Sequence, residues 1–356
     1  MKDALVVRID DAIRRLDEFD ALLDARSPSE FLEDHLPGAT SAPVLDDAER
    51  ARVGTLYKSH GAFEAKRVGA ALVARNIASI LETRLATHGR DWRPLVYCWR
   101  GGNRSGSLAT VMARVGWRTS VLEGGYREFR RHVIADLALA PQRLSLRIVT
   151  GRTGSGKSLL LERLHALGEQ VLDLEQLAAH RGSVLGHLPD RAQPSQKRFE
   201  TLLWARLRAL DPSRPVWVES ESRKIGQCQV PESLILRMRE SPCVRVEADD
   251  AVRARLLLSE YRHFVDDPAR LSARMAALRP LHGHERIDEW LRLATAGQWE
   301  AFVVALLREH YDPSYDRSMQ RNFARLDAAR SVVLEGDDPA SVDAAARRLV
   351  EAAPAA

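Results

Sequence analysis

Residues 144–167 read LSLRIVTGRTGSGKSLLLERLHAL. The apolar run at 144–150 predicts a β-strand, and 157–167 has the pattern of a helix that Gly168 stops. Between them, Gly151 to Ser158 match GxxxxGK[ST] in full, and the strand–loop–helix context makes this match a phosphate-binding loop, or P-loop. The segment therefore predicts an α/β domain that binds a phosphate or diphosphate.

The P-loop supplies a set of predicted phosphate ligands. Main-chain N–H groups close around the phosphate where glycines permit the turn, Lys157 neutralises its charge, and Ser158 offers a hydroxyl for Mg²⁺. No other metal site is expected. The predicted phosphate-binding residues are Gly151, Thr153, Gly154, Ser155, Gly156, Lys157 and Ser158.

Hydrolysis of a nucleotide would also need an acidic residue on a neighbouring strand. Asp173 and Glu219 are the candidates, although either is equally an ordinary carboxylate at a strand end. His180, Arg181 and Arg223 are further candidate neighbours of the P-loop ligand. The motif itself does not decide between a nucleotide and another phosphorylated ligand.

Working outward, the sequence around the P-loop continues as an α/β pattern. A proline-containing break, ALAPQR at 138–143, precedes it and suggests a domain boundary, so the predicted domains are 1–138 and 139–356. A mainly helical segment lies at about 250–325 in the second domain. Further strands of this domain are predicted at 171–174, 216–219, 244–247 and 332–334.

The first half also alternates strands and helices, which favours a parallel sheet covered by helices. Helices are predicted at 64–86 and 107–115, and strands at 21–25, 94–99 and 119–122. Two α/β domains in series are the expected architecture.

Composition excludes several classes of protein. The 356 residues are 45% hydrophobic and 29% charged, which is typical of globular domains. No apolar run approaches the roughly 20 residues of a membrane span, and acids interrupt the N-terminal segment MKDALVVRIDDAIRR. Three cysteines cannot build a disulfide framework, so we expect a cytoplasmic protein without a membrane partner.

The charge balance has two readings. The net charge is +4, and only six of the 53 basic residues are lysine. This excess of arginine reflects either genomic base composition or a surface that pairs with phosphates through guanidinium groups.

A second reactive candidate is Cys98, which ends a predicted strand. The loop WRGGNRS follows it before a helix begins, and Gly101 and Gly102 let the backbone curl. Backbone N–H groups, the helix dipole and the guanidinium groups of Arg100 and Arg104 all favour the thiolate, which is the nucleophilic form. We therefore predict Cys98, Arg100 and Arg104 as catalytic residues rather than a buried thiol and two surface arginines.

The first domain resembles the rhodanese-like family. The residues that carry the resemblance are Asp24-Ala25-Arg26, Glu30-Phe31, His35-Leu36-Pro37-Gly38-Ala39, Cys98 and Leu122-Glu123-Gly124-Gly125-Tyr126. The resemblance implies a cysteine that carries sulfur or selenium as a persulfide or perselenide. Five residues separate Cys98 from Arg104, one more than expected of the sulfurtransferases, and this wider loop suits a tetrahedral oxyanion as in the phosphatase relatives.

A rhodanese-like domain joined to a P-loop domain with a helical insertion resembles the bacterial tRNA 2-selenouridine synthases. Matching stretches lie at 97–105, 173–175, 180–183, 193–196, 199–200, 219–226 and 311–315. The resemblance implies that sulfur in a wobble 2-thiouridine of tRNA is replaced by selenium from selenophosphate, and that geranyl diphosphate supplies a geranyl group to that sulfur. Our hypothesis from these residues is that the diphosphate binds the P-loop and selenophosphate binds the Cys98 loop, and we expect no tightly bound cofactor. Whether the P-loop holds geranyl diphosphate or a nucleotide stays open.

The partners implied are tRNA, small phosphorylated substrates and the enzyme that produces selenophosphate. Arginines mingle with aromatic residues in the helical segment and are candidate contacts for tRNA. They are Arg253, Arg255, Arg262, Arg270, Arg274, Arg279, Arg286 and Arg292, beside Tyr261, His263, Phe264 and Trp290. The oligomeric state and the choice of tRNA stay open.

Two other functions remain open on the residues alone. One is a P-loop kinase or nucleotide switch whose rhodanese-like domain binds a partner, and the other is a phosphatase that uses the Cys-x5-Arg loop. Turnover of ATP or GTP would favour the first, and hydrolysis of an aryl phosphate would favour the second.

Overall fold

The computed structural model describes residues 3–100, 102–183, 185–323 and 325–352. Gly101, one of the two glycines of the Cys98 loop, lies outside the described residues. The chain forms two compact units: residues up to Asp136 together with Glu200–Trp204, and Leu137–Phe199 together with the chain from Ala205 onward. Each unit contains a parallel β-sheet with helices, so the predicted α/β fold class is confirmed.

The first unit is built on a parallel sheet with the strand order β1-β5-β4-β2-β3. Central strand β4 is buried throughout, as expected of a strand covered on both faces. The strands are β1 Leu5–Val7, β2 Ala21–Asp24, β3 Ala39–Ser41, β4 Pro94–Tyr97 and β5 Ser120–Leu122. The helices are α1 Ile9–Arg14, α2 Pro28–Glu33, α3 Asp47–Ile80, α4 Asn103–Val115 and α5 Gly125–Leu139.

Helix α3 differs from its prediction at both ends. It begins at Asp47 because Asp46 and Glu49 form a capping box, and a π-helical turn follows its end at Ile80. Gly61 interrupts it with φ 84° and ψ 176°, a left-handed φ that glycine adopts readily. The chain folds back there, since a Cβ placed on Gly69 would lie 3.4 Å from Val53 Cγ1. We call residues 47–80 the α3 hairpin.

The second unit is built on a parallel sheet with the strand order β12-β11-β6-β8-β7. The strand predicted at 171–174 is shorter than expected, because Asp173 accepts a hydrogen bond from Gln176 N and caps a helix that begins at Leu174. The strands are β6 Leu146–Thr150, β7 Gln170–Leu172, β8 Val216–Glu219, β11 Cys243–Glu247 and β12 Arg330–Val333, with a small antiparallel pair, β9 Lys224–Ile225 and β10 Cys228–Gln229.

The helices of the second unit include a helical subdomain with a core of its own around Phe264, Trp290 and Phe302. The helices are α6 Lys157–Ala166, α7 Leu174–Ala178, α8 Gln196–Arg208, α9 Glu232–Glu240, α10 Asp250–Glu260, α11 Arg262–Asp266, α12 Pro268–Met275, α13 Arg279–Thr295, α14 Trp299–Leu306, α15 Asp312–Asn322 and α16 Pro339–Ala352. None of the helices that the structure describes has the length and apolar character needed to cross a membrane.

Candidate active site

Cys98 lies between the end of β4 and the start of α4, where the sequence placed it. The residue is only 3% exposed, and its Sγ accepts a hydrogen bond from Ser105 Oγ at 3.1 Å. Burial alone would raise the pKa of Cys98. The hydroxyl and N–H of Ser105, the N–H of Gly102 and the charge of Arg104 outweigh burial and hold that pKa below its ordinary value.

The two predicted arginines of the loop have different surroundings. Arg104 forms a two-pronged pair with Glu30, with N–O distances of 2.6 and 3.3 Å, which fixes its guanidinium beside the loop. Arg100 is exposed to solvent. Arg104 is thus held in place before any substrate arrives, whereas the Arg100 side chain is free to reach an anion from solvent.

The other residues that carry the rhodanese-like resemblance pack behind the Cys98 loop and hold it in position. Tyr126 N donates to Cys98 O at 2.8 Å, and the Tyr126 hydroxyl donates to Asp34 at 2.8 Å. Arg26 is fully buried, pairs with Asp24 at 2.6 Å, and places its guanidinium 3.8 Å from the centre of the Tyr126 ring. These contacts explain why the motif residues recur together around one reactive loop.

The P-loop follows β6 and leads into α6, as its motif predicts. Gly151, Gly154 and Gly156 all have positive φ, at 154°, 77° and 86°. A Cβ would also lie 2.8 Å from Leu257 at Gly154 and 2.6 Å from Leu334 at Gly156. The loop conformation therefore requires glycine at these positions both for its backbone and for its packing.

Lys157 lies within the loop that it is expected to serve. Its Nζ donates to Gly151 O at 2.7 Å and lies 5.6 Å from the centre of the Tyr315 ring. The Tyr315 hydroxyl in turn accepts a hydrogen bond from Gly151 N at 2.7 Å. Tyr315, which the sequence analysis quoted only as part of a matching stretch, therefore forms a wall of the P-loop.

The P-loop opens into a polar cavity that contains more carboxylates than the sequence analysis proposed. Lys157 and Ser158 line it together with Glu175, Glu219, Glu221 and Glu260. Burial raises the pKa of Glu219 and of Glu175 well above the ordinary range, and neighbouring carboxylates raise both further. We call this space the P-loop cavity.

Of the two acids proposed for the P-loop, the structure places one in the cavity. Glu219 ends β8 and accepts hydrogen bonds from Leu174 N at 2.6 Å and Glu175 N at 2.9 Å. Asp173 caps α7, and its carboxylate helps to raise the pKa of Glu219 in the cavity. Its place beside the ligand stays a prediction.

The three basic candidates also divide. Arg181 and Arg223 line the P-loop cavity, where Arg181 pairs with Glu260 at 2.8 Å and Arg223 pairs with Glu232 at 2.8 Å. His180 is buried outside the residues that line the cavity. Its backbone forms an antiparallel bridge with His187, and its place beside the ligand stays a prediction.

A second, apolar pocket adjoins the P-loop cavity. The two spaces share Thr153, Ser183, Leu257, Tyr261 and Tyr311 in their walls. The apolar pocket is narrow, with a cavity volume of about 60 Å³. Its lining includes Phe264, Val265, Phe302, Val303 and Leu306. A phosphate group in the P-loop therefore has an apolar space beside it.

The candidate tRNA contacts of the arginine-rich segment divide between exposed and buried positions, and the exposed arginines are Arg255, Arg262, Arg270, Arg274 and Arg292. Arg253 is 3% exposed and pairs with Asp312 at 2.5 Å, while Phe264 and Trp290 belong to the core of the helical subdomain. Arg286 pairs with Glu289 and Glu309, and Arg279 pairs with Asp288. Arg253, Phe264 and Trp290 were therefore wrong as tRNA contacts.

The donor set for a metal is small. Ser158 Oγ donates to Glu175 Oε2 at 3.4 Å, and Mg²⁺ is commonly held by one or two such protein oxygens with the substrate phosphates. Across the described ranges, no group of three or more His, Cys, Asp or Glu side chains is arranged to hold a metal ion. The chemistry of Ser158 and Glu175 fits Mg²⁺ only together with a bound phosphate.

Comparison with known proteins identifies the family. A model described as "tRNA 2-selenouridine synthase AAA domain" matches residues 144–337, and a rhodanese-like domain model matches residues 9–132. The chain belongs to the tRNA 2-selenouridine synthase family. This membership makes it an enzyme of tRNA modification and confirms the resemblance drawn from its motifs.

Relatives of the same family name cover most of the chain. The synthase of Aeromonas salmonicida (strain A449) is 34% identical over 327 residues, covering 83% of this chain and 86% of that protein. The synthase of Alcanivorax borkumensis (strain ATCC 700651 / DSM 11573 / NCIMB 13689 / SK2) is 31% identical, covering 84% and 90%. The synthase of Nitrosomonas europaea (strain ATCC 19718 / CIP 103999 / KCTC 2705 / NBRC 14298) is 35% identical, covering 80% and 74%.

Sequence reasoning missed several residues that the structure places at the two centres. Glu30, Glu175, Glu221 and Tyr315 all lie inside stretches that match the family, but those matches do not show which side chains face the reactive loops. Ser105 carried a signal that could have been used, since it lies in the first turn of the helix that follows Cys98. A hydroxyl at that position points back toward the residue that ends the strand.

Proposed function

We propose that this enzyme replaces the sulfur of a wobble 2-thiouridine in tRNA by selenium in two steps. The sulfur first takes a geranyl group from geranyl diphosphate, and selenium from selenophosphate then displaces the geranylated sulfur. The observation that carries the proposal is the apolar pocket beside the P-loop cavity, because it matches a ligand with a diphosphate head and a hydrocarbon tail.

In the first step, the P-loop N–H groups and Lys157 hold the diphosphate while the apolar pocket takes the geranyl chain. The thiouridine sulfur attacks the first carbon of the chain, the carbon–oxygen bond breaks, and diphosphate leaves with that electron pair. Positive charge around the departing diphosphate stabilises this transition state. Mg²⁺ held by Ser158 and Glu175 together with phosphate oxygens would add to that charge neutralisation when bound.

In the second step, the Cys98 loop binds selenophosphate. The Cys98 thiolate attacks the phosphorus of selenophosphate, the phosphorus–selenium bond breaks, and selenide leaves with that electron pair, while Arg100 and Arg104 stabilise the phosphate part of the donor. Selenide then attacks the uridine carbon, and geranyl thiolate leaves with the electrons of the carbon–sulfur bond. Water hydrolyses the sulfur–phosphorus bond, which releases phosphate and restores the Cys98 thiol. S-alkylation helps because the geranyl thiolate is a better leaving group than a thiocarbonyl sulfur.

The test is mass spectrometry of tRNA nucleosides after incubation with geranyl diphosphate and selenophosphate, separately and together. We expect Lys157→Ala to abolish geranylation, because the diphosphate loses its principal cation. We expect Cys98→Ser to block selenation while the geranylated nucleoside accumulates.

Three outcomes contradict parts of this scheme. A Cys98→Ser enzyme that selenates at the wild-type rate removes Cys98 from the reaction. Geranylation that survives Lys157→Ala would show that the P-loop does not hold the diphosphate. The absence of any mass shift at 2-thiouridine with wild-type enzyme, together with turnover of ATP or GTP, favours the nucleotide switch instead.

A further inference from the structure

The α3 hairpin projects from the first unit. Of residues 50–63, only Val53 and Leu56 are partly covered, and every other side chain is exposed. The turn at Gly61 is eight residues beyond Val53, which contacts Gly69, so at 1.5 Å per residue the tip extends about 12 Å past that contact. Such a projection contributes nothing to the core of the unit and is available to a partner.

The tip of the hairpin carries two exposed aromatic rings. Phe63 is 80% exposed and Tyr57 is 61% exposed. Every other aromatic side chain of the described ranges is buried or partly covered. Aromatic faces of this kind stack on unpaired bases of any identity.

The same segment concentrates positive charge. Residues 50–67 contain five cations, Arg50, Arg52, Lys58, Lys66 and Arg67, and the single anion Glu64. This excess of four charges equals the net charge of the whole chain, +4. Arg52, Lys58 and Lys66 are exposed, so they offer charge to a phosphate backbone.

The base of the hairpin is connected to the Cys98 loop. Arg50 pairs with Glu30 at 3.1 Å, and the same carboxylate accepts a hydrogen bond from Arg104 at 2.6 Å. Arg104 lies six residues after Cys98, in the loop that holds the thiolate. The base of the hairpin therefore adjoins the loop that holds the reactive cysteine.

We propose that the α3 hairpin binds a single-stranded loop of RNA, with Tyr57 and Phe63 stacking on its bases and the lysines and arginines contacting its phosphates. This inference rests on the proposed function, because the RNA is the tRNA whose loop carries the target base. The exposed aromatic rings distinguish it from a purely electrostatic surface, and the shared Glu30 connects the base of the hairpin to the Cys98 loop.

The experiment measures RNA binding by the full chain, independently of catalysis. The probe is a fluorescein-labelled anticodon stem-loop that carries 2-thiouridine, and fluorescence anisotropy is followed over a series of KCl concentrations. One variant combines Y57A with F63A, and its matched control combines V115A with I134A, which shorten exposed apolar side chains of the same unit. A second variant combines K58Q with K66Q, and its control combines the exposed R14Q and R118Q.

We expect the aromatic pair to weaken binding at least fivefold at every salt concentration, as the loss of base stacking requires. We expect the lysine pair to reduce the slope of log K against log[KCl] by about 1.4, the value for two contacts with a single strand. Both controls should bind as the wild type does, and all four variants should melt at the wild-type temperature because the side chains are exposed.

Two results overturn the inference and differ in what else they remove. If both hairpin variants bind the stem-loop with wild-type affinity, and the wild-type protein also binds it, the hairpin is not an RNA-binding surface, although the proposed tRNA reaction still stands. The hairpin would then be a candidate contact for a protein partner. Failure of the wild-type protein to bind the stem-loop refutes the inference and the proposed tRNA reaction together.

Discussion

At the scale of single residues, the reactivity of Cys98 depends on groups around it rather than on the thiol itself. Its burial opposes ionisation, yet the Ser105 hydroxyl at 3.1 Å, nearby N–H groups and Arg104 together lower its pKa. Among these, the Ser105 hydroxyl is the one that a conservative substitution can remove. Its removal leaves Arg104 and the backbone N–H groups as the remaining support for the thiolate.

Substitution Ser105→Ala should raise the pKa of Cys98 and slow its reaction with iodoacetamide at neutral pH. A hydrogen bond to a charged group contributes about 1.5–3 kcal/mol, which corresponds to at least roughly a tenfold loss of thiolate. The measurement is the rate of alkylation against pH, whose midpoint should move upward while the plateau rate at high pH is retained.

The control for this measurement is Ser107→Ala in the same helix. The Ser107 hydroxyl donates to Asn103 O and does not contact Cys98, so its loss should leave the alkylation midpoint unchanged. An unchanged midpoint in Ser105→Ala would show that the backbone N–H groups and Arg104 stabilise the thiolate without the hydroxyl.

Residues at the two centres were predictable only where one local motif carries the chemistry. Cys98 and Lys157 could be assigned because a loop between a strand and a helix determines the surroundings of both. Glu30 could not, because it reaches Arg104 across 74 positions, and Tyr315 contacts Gly151 across 164. Such partners depend on how helices pack, which spacing along the chain does not encode.

At the scale of elements, the helical insertion shapes the proposed site for the hydrocarbon chain. Helices α10 to α12 and α14 line the apolar pocket, and α10 also packs against the P-loop, since Leu257 lies against Gly154. The helical insertion thus places an apolar pocket beside a P-loop that would otherwise bind only a phosphate group. The sequence predicted a helical segment here but assigned its aromatic residues to tRNA, although they form its core.

Substitution Val265→Trp should obstruct this pocket with little effect on folding, because Val265 is only partly buried. Each methylene denied burial costs about 0.8 kcal/mol, so two or more lost methylenes should raise KM for geranyl diphosphate at least roughly tenfold. Dimethylallyl diphosphate, with half the carbon chain, should be affected less. The measurement compares KM for the two diphosphates.

Val333→Trp provides the matched control, because Val333 is an exposed valine of the same unit and does not line the pocket. It should leave both KM values unchanged. Equal effects of Val265→Trp on the two diphosphates would show that the chain does not enter the apolar pocket.

The predicted strands were located more accurately than the helices. Strands β2, β4 and β8 lie within the apolar runs that predicted them, since a buried parallel strand is a continuous apolar run. Helix α3 was predicted to begin at Glu64 from its apolar spacing, whereas it begins at Asp47. The capping box at Asp46 starts the helix before the glycines at 54 and 61. The chain then turns at Gly61 and continues as a second helical arm, which produces the projecting hairpin.

At the scale of the whole molecule, each reactive centre is assembled from residues of one compact unit. Cys98, Arg104 and Glu30 belong to the first unit, and Lys157 and Glu219 belong to the second. The net charge of +4 says little about function, because arginines such as Arg253 and Arg286 pair with acids. Residues 50–67 carry five cations and one anion, and this local excess is what the proposed RNA surface uses.

Because each centre is self-contained, the two proposed reactions should be separable between two protein molecules. A mixture of Cys98→Ser and Lys157→Ala proteins should form the selenated nucleoside from 2-thiouridine tRNA, geranyl diphosphate and selenophosphate. The first variant supplies geranylated tRNA, and the second supplies an intact Cys98 loop that accepts it. The measurement is nucleoside mass spectrometry of the mixture beside each variant alone, neither of which should form product. Accumulation of geranylated tRNA without selenation in the mixture would mean that the intermediate stays on one chain throughout, so that both centres must be intact in the same molecule.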